Sequence, residues 1–162
     1  RDPEQLKHLI DRCFGRLVAD VTAFGGTVDK IIGDAIVALF GAPVAHEDDA
    51  ERAVRAALRM QQTLSSFAQE QDAELRMRVG VNTGEVLVGA LRAGGDYTAM
   101  GDTVNVAARL QALAAPGEVL VGPATAAATR AAIGYESRGD TDLRGRDHSV
   151  EVFAAKIGRA HV

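Results

Sequence analysis

Apolar residues recur at helical spacing near the start of the chain: Leu6, Leu9, Ile10, Cys13, Phe14, Leu17, Val21 and Phe24 fall on one face. Asp2 can cap that helix, Pro3 suits its first turn, and Gln5 completes a capping-box pattern. Gly25-Gly26 ends it. Two β-type runs follow, Thr27–Ile32 and Ala35–Phe40, separated only by Gly33-Asp34, the length of a tight hairpin loop. After a turn around Pro43, a long helix is predicted over His46–Gln71. Glu47, Asp48 and Asp49 lie in its first turn, and Ala50, Ala53, Val54, Ala57, Leu58, Gln61, Leu64 and Phe67 form its packing stripe.

Leu75–Val81 and Glu85–Ala90 read as two strands around Asn82-Thr83-Gly84, joined as a second short hairpin. Arg92–Met100 is a glycine-rich loop or short strand, Asp102–Leu113 a helix ended before Pro116-Gly117, Val119–Val121 a strand and Pro123–Ala132 a helix. The last strand-like runs are Tyr135–Ser137 and Val150–Ala155. Helices interspersed with strands, two of whose links are hairpins, predict an α+β fold with an antiparallel or mixed sheet flanked by helices. Neither repeats nor an internal linker divide the pattern.

Composition narrows the function classes. The 162 residues are 47% hydrophobic, enough for a real core, and only 4% aromatic, so that core is built from aliphatic side chains. A formal net charge of -4 gives no footprint for nucleic acid or for an anionic membrane surface. The lone Cys13 rules out an internal disulfide and sits on an apolar helical face, where it reads as a buried hydrophobe rather than a nucleophile. Without a spanning apolar run or a signal peptide, this segment is expected to be cytoplasmic and without direct membrane contact, although a parent protein could carry an anchor elsewhere.

Two segments carry candidate chemistry. In Val28-Asp29-Lys30-Ile31-Ile32-Gly33-Asp34-Ala35, the hairpin tip lets the Asp34 carboxylate project freely. Such a group together with phosphate oxygens can hold Mg²⁺, or it can simply serve the turn. In Gly101-Asp102-Thr103-Val104-Asn105-Val106-Ala107-Ala108-Arg109-Leu110, Asn105 and Arg109 are four apart and share a helical face. An amide there can orient a hydroxyl and a guanidinium can grip phosphate, or both can be solvated surface residues.

Lys30–Ala35, then Phe40-Gly41-Ala42-Pro43, Glu47–Ala53, Arg78–Val86 and Gly101–Leu110 occur in an order and at spacings that strongly resemble class III adenylyl and guanylyl cyclases, especially their bacterial branch. The resemblance runs from the first helix to the strand near Phe153. It implies the nucleotide cyclase fold with a ferredoxin-like core, and an adenylate cyclase that converts ATP to 3′,5′-cyclic AMP and pyrophosphate as a homodimer with shared active sites. It further implies that Asp34 binds metal, with two ions of Mg²⁺ or Mn²⁺ in the complete domain. Lys30 would donate to adenine N1 (although a strand lysine can also hold its head in water), and Thr98 would accept from the adenine amino group. Asn105 would position the ribose and Arg109 would stabilise charge on the α-phosphate. Arg144, or else Arg146, would grip the terminal phosphates in place of the family's usual lysine.

The family's first-strand Asp motif has no counterpart within residues 1–162. The expectation is therefore an N-terminally truncated catalytic domain over 1–157, followed by a tail, 158–162. That leaves two alternatives: a non-catalytic nucleotide-binding or dimerisation domain that regulates a larger protein, and a guanylate cyclase, against which Lys30 argues.

Overall fold

The computed structural model describes residues 2–85, 87–90, 97–142 and 149–156, with 87–90 and 97–100 described in their backbone. Its α+β architecture is built as two compact units, Arg1–Arg76 and Met77–Val162.

The first unit opens with α1 (Pro3–Ala23), whose Asp2 cap accepts a hydrogen bond from the Gln5 amide at 2.8 Å. The helix closes in a Schellman motif: the Gly26 amide donates to the Val21 carbonyl at 2.9 Å and the Gly25 amide to Thr22 at 3.0 Å. Leu9, Cys13, Leu17 and Val21 are buried at strict four-residue spacing, a narrower stripe than the sequence pattern, and Leu6 is 41% exposed. That stripe packs on α2 (Asp49–Glu70), which buries Val54, Ala57, Met60, Leu64 and Phe67. The two helices run antiparallel. Arg12 hydrogen-bonds Gln71 beyond the end of α2, whereas Gly25 after α1 lies against the Arg52 side chain in the first turn of α2. Arg16 lies 4.9 Å over the Phe67 ring and pairs with Glu70, closing the helix–helix seam with an amphipathic lid.

Between the helices stand β1 (Thr27–Ile32) and β2 (Ala35–Leu39), an antiparallel pair with Ile32 opposite Ala35, so Gly33 and Asp34 form a two-residue loop. Gly33 has φ +60°, and Asp34 has no positive φ, the pattern of a type II′ turn, which needs glycine first. α2 starts three residues later than the pattern predicts. The residues before it are held in a turn, with the His46 amide bonded to an Asp49 carboxylate oxygen at 2.6 Å.

The second unit contains β3 (Val79–Val81), β4 (Leu87–Ala90), β5 (Tyr97–Met100), α3 (Asp102–Leu113), β6 (Val119–Val121), α4 (Pro123–Thr129), β7 (Tyr135–Thr141) and β8 (Val150–Ala155). The order β3-β6-β8-β7 forms one mixed sheet, with β3 and β6 parallel and the other neighbours antiparallel; β4 and β5 form a separate antiparallel pair. α3 returns the chain from β5 to β6 and packs on β3 and β6. Val106 and Leu110 from the helix and Ala114 at its C-cap meet Leu120, Val152 and Ala154 from the sheet. A Cβ on Gly80 would collide with the Ala107 carbonyl and the Gln111 amide, so glycine is what lets α3 approach β3 so closely.

Two expectations are corrected here. The predicted hairpin between the third and fourth strands does not form: β3 pairs with β6, and β4 with β5. The intervening Asn82 and Thr83 spend their side chains elsewhere, on the Thr103 carbonyl and the Thr125 hydroxyl, so the link is an anchored loop instead of a reversing turn. β7 is also longer than its apolar start suggested, reaching Thr141. Among the described residues it pairs with β8 alone. Its exposed charges and a register shift between Ser137 and Asp140 suit an edge strand, and such a strand carries no apolar alternation to read. Among the described residues, no helix is long and apolar enough to cross a membrane.

Candidate active site

Each unit contributes one group of the residues singled out from the sequence. In the first unit Lys30 and Asp34 share the β1–β2 hairpin: Lys30 stands opposite Val37 within the ladder, and Asp34 occupies the exposed second position of the turn. Lys30 Nζ lies 3.3 Å from Oδ2 of Asp29. The lysine side chain is 28% exposed and the Asp29 side chain only 3%, so a nearly sealed carboxylate holds an ammonium that keeps access to solvent. Ile31 and Ile32 beside them are 51% and 61% exposed.

In the second unit Asn105 and Arg109 are brought together on α3. Both are exposed and one turn apart, while Val106 and Leu110, about 100° around the helix, hold a flanking face in the core. The helix starts at Gly101, whose φ of 124° is open to glycine, and the Asn105 amide bonds back to the Gly101 carbonyl at 3.1 Å. Two side chains absent from the sequence-based site fix this first turn. Asn82 Nδ2 donates to the Thr103 carbonyl at 3.1 Å, and Thr103 Oγ1 donates to the Glu85 carbonyl at 2.6 Å. The polar triplet Asn82-Thr83-Gly84, placed after an apolar strand, was the only sequence signal of this anchor.

Thr98 lies on β5, opposite Gly89. Arg144 and Arg146 lie outside the described residues. Among the described residues no cluster of three or more His, Cys, Asp or Glu could hold a metal ion, so Asp34 stands as a single candidate ligand. An ion there would draw its other ligands from substrate phosphates and water, which is the usual coordination of Mg²⁺.

Behind α3 a chain of hydroxyls locks α4 in place. Thr83 and Thr125 Oγ1 atoms lie 2.8 Å apart, and Thr129 Oγ1 donates to the Thr125 carbonyl while lying 2.6 Å from the Tyr135 hydroxyl. Burial pushes the Tyr135 hydroxyl above its ordinary pKa, against the opposing pull of its bond to Thr129.

Comparison with known proteins agrees with these motifs. The family described as the adenylate and guanylate cyclase catalytic domain matches residues 1–156. Adenylate cyclase 1 of Rhizobium meliloti (strain 1021) is 34% identical over 161 residues, covering 94% of this chain and 24% of the relative; the chain thus spans about a quarter of that protein's length. The crystal structure of the adenylyl cyclase CyaB from P. aeruginosa superposes with a TM-score of 0.93 at 27% identity, covering 100% of this chain and 87% of that one. The guanylyl cyclase Cya2 gives 0.89 at 29% identity, covering 99% and 85%. With a family match across almost its whole length and solved cyclase folds superposing on it, the chain belongs to the adenylate and guanylate cyclase catalytic domain family.

Proposed function

We propose that this domain is an adenylate cyclase, converting ATP to 3′,5′-cyclic AMP and pyrophosphate. The observation that carries the reading is the exposed face of α3, on which Asn105 and Arg109 stand one turn apart above an anchored first turn. In the reaction the ribose 3′-oxygen attacks the α-phosphorus. The new O–P bond forms as the bond to the β-phosphate oxygen breaks, pyrophosphate leaves with the electron pair, and the hydroxyl proton passes to water. Asn105 holds the ribose in attacking geometry, and Arg109 meets the negative charge that grows on the α-phosphate.

Lys30 supports ATP over GTP, since an ammonium donates to the adenine N1 acceptor and faces a hydrogen on guanine N1. Thr98 would accept from the adenine amino group, and Arg144 or Arg146 would hold the terminal phosphates. Mg²⁺ or Mn²⁺ held by Asp34 and the phosphate oxygens would supply a Lewis acid that makes the 3′-hydroxyl more acidic. The family is generally metal-dependent, and two ions would require a further carboxylate besides Asp34. Lys30 and Asp34 serve opposite sites of a homodimer in this reading, each site completed by both chains.

The test is turnover of ATP and of GTP by the full-length protein with Mg²⁺ or Mn²⁺, with products resolved by chromatography. Cyclic AMP formed in preference to cyclic GTP-derived product supports the reading. A preference for GTP makes the protein a guanylate cyclase, and no cyclic product from either nucleotide leaves a regulatory module.

A further inference from the structure

We infer that Asp29 is a positioning residue for base selection, fixing the Lys30 ammonium so that it is presented to the purine edge in one direction. The inference rests on the reading of Lys30 given above. Neighbouring residues of a regular strand point to opposite faces of the sheet, so the carboxylate of one does not normally reach the side chain of the next. Here the ladder slips: Val28 is opposite Ala38 and Lys30 is opposite Val37, which leaves Asp29 as an unmatched extra residue. Such a bulge re-aims side chains. Its result is the 3.3 Å contact between Asp29 Oδ2 and Lys30 Nζ.

The burial of the pair is asymmetric, with 3% of the Asp29 side chain exposed against 28% for Lys30. The carboxylate is built into the hairpin, and the lysine is the member that can meet a ligand. A free lysine has a flexible four-carbon stem whose freedom is lost on binding. One that already gives a donor to a fixed carboxylate loses less, and its remaining donors are constrained in direction. Direction matters for selectivity. A loose ammonium can swing to the O6 acceptor of guanine, whereas one tethered opposite adenine N1 cannot follow it.

The experiment compares kcat and KM for ATP and GTP in the full-length protein, in Asp29→Asn, and in the same change made on Lys30→Ala. The expected result is an ATP-to-GTP ratio of kcat/KM about tenfold lower in Asp29→Asn, carried mainly by a higher KM for ATP. No further change in the ratio is expected in the Lys30→Ala background, and Asp29→Glu should fall between Asp29→Asn and the wild type. An unchanged ratio in folded Asp29→Asn, or equal losses with both nucleotides in both backgrounds, overturns the inference and leaves Asp29 a structural residue. If Asp29→Asn does not fold, Asp29→Glu decides: a ratio below wild type supports the inference and an equal ratio overturns it. An active wild type with an unmoved ratio sinks this inference alone. A wild type that forms no cyclic product sinks the catalytic reading instead. The ratio is then read from equilibrium binding of 3′-deoxy-ATP and 3′-deoxy-GTP, which lack the attacking hydroxyl, and failure to bind either overturns both.

Discussion

At the residue scale the informative side chains are those whose neighbours decide what they can do. Lys30 is an ordinary strand lysine by sequence, yet the bulge at Asp29 gives its ammonium a partner at 3.3 Å. Replacing it reverses the chemistry offered to a purine: Lys30→Glu presents an acceptor where a donor stood. A hydrogen bond involving a charged group is worth about 1.5–3 kcal/mol, so the ATP-to-GTP ratio of kcat/KM is expected to fall roughly ten- to a hundredfold. Steady-state assays with both nucleotides check this, and an unchanged ratio takes Lys30 out of the base pocket. Tyr135 gives a pH prediction. Burial raises its pKa above the ordinary value near 10, so the folded state holds the proton more tightly than the unfolded chain. Its contribution is fully present below the unfolded pKa and is lost as pH rises through the folded one. Denaturant midpoints measured across that alkaline window are expected to fall less steeply for Tyr135→Phe than for the wild type.

At the element scale, the close approach of α3 to β3 is what positions Asn105 and Arg109, and it depends on Gly80. Adding a methyl group there forces backbone against backbone at Ala107 and Gln111, atoms that cannot swing aside. Overpacking of this kind costs about 1–3 kcal/mol or more. Gly80→Ala should lower the urea midpoint by a corresponding amount and reduce turnover more than a surface substitution such as Ala112→Ser. An unshifted midpoint would mean that the helix can lift without loss. The helices themselves were legible from the chain: α3 has the predicted bounds, Asp102–Leu113, and the Asp2 cap bonds Gln5 as its spacing implied. The strand partners were less legible. A three-residue, half-buried strand such as Val79-Gly80-Val81 says that it pairs and packs, but not with which neighbour.

At the scale of the whole molecule, the proposed site is shared between two chains, and complementation tests it. Asp34→Ala and Asn105→Ala homodimers should each be inactive. If subunits exchange freely, half of the dimers in an equal mixture are mixed, and each has one site with a complete wild-type set. About a quarter of wild-type activity is then expected from the symmetry. A mixture that exchanges, shown by pull-down of differently tagged chains, yet stays inactive would place Asp34 and Asn105 in the service of one chain's site. By itself the sequence determined what is local: helix faces, caps, the two-residue turn at Gly33-Asp34, and the motif residues whose order identifies the family. These follow from side-chain period and from backbone preferences acting over a few residues. The tertiary structure alone decided which strands pair, that Asn82 and Thr103 anchor the start of α3, and that Asp29 leaves the strand register to reach Lys30. Those outcomes depend on competition among hydrogen-bond partners distant in sequence and on packing space, and neither is encoded in the periodicity of any one segment.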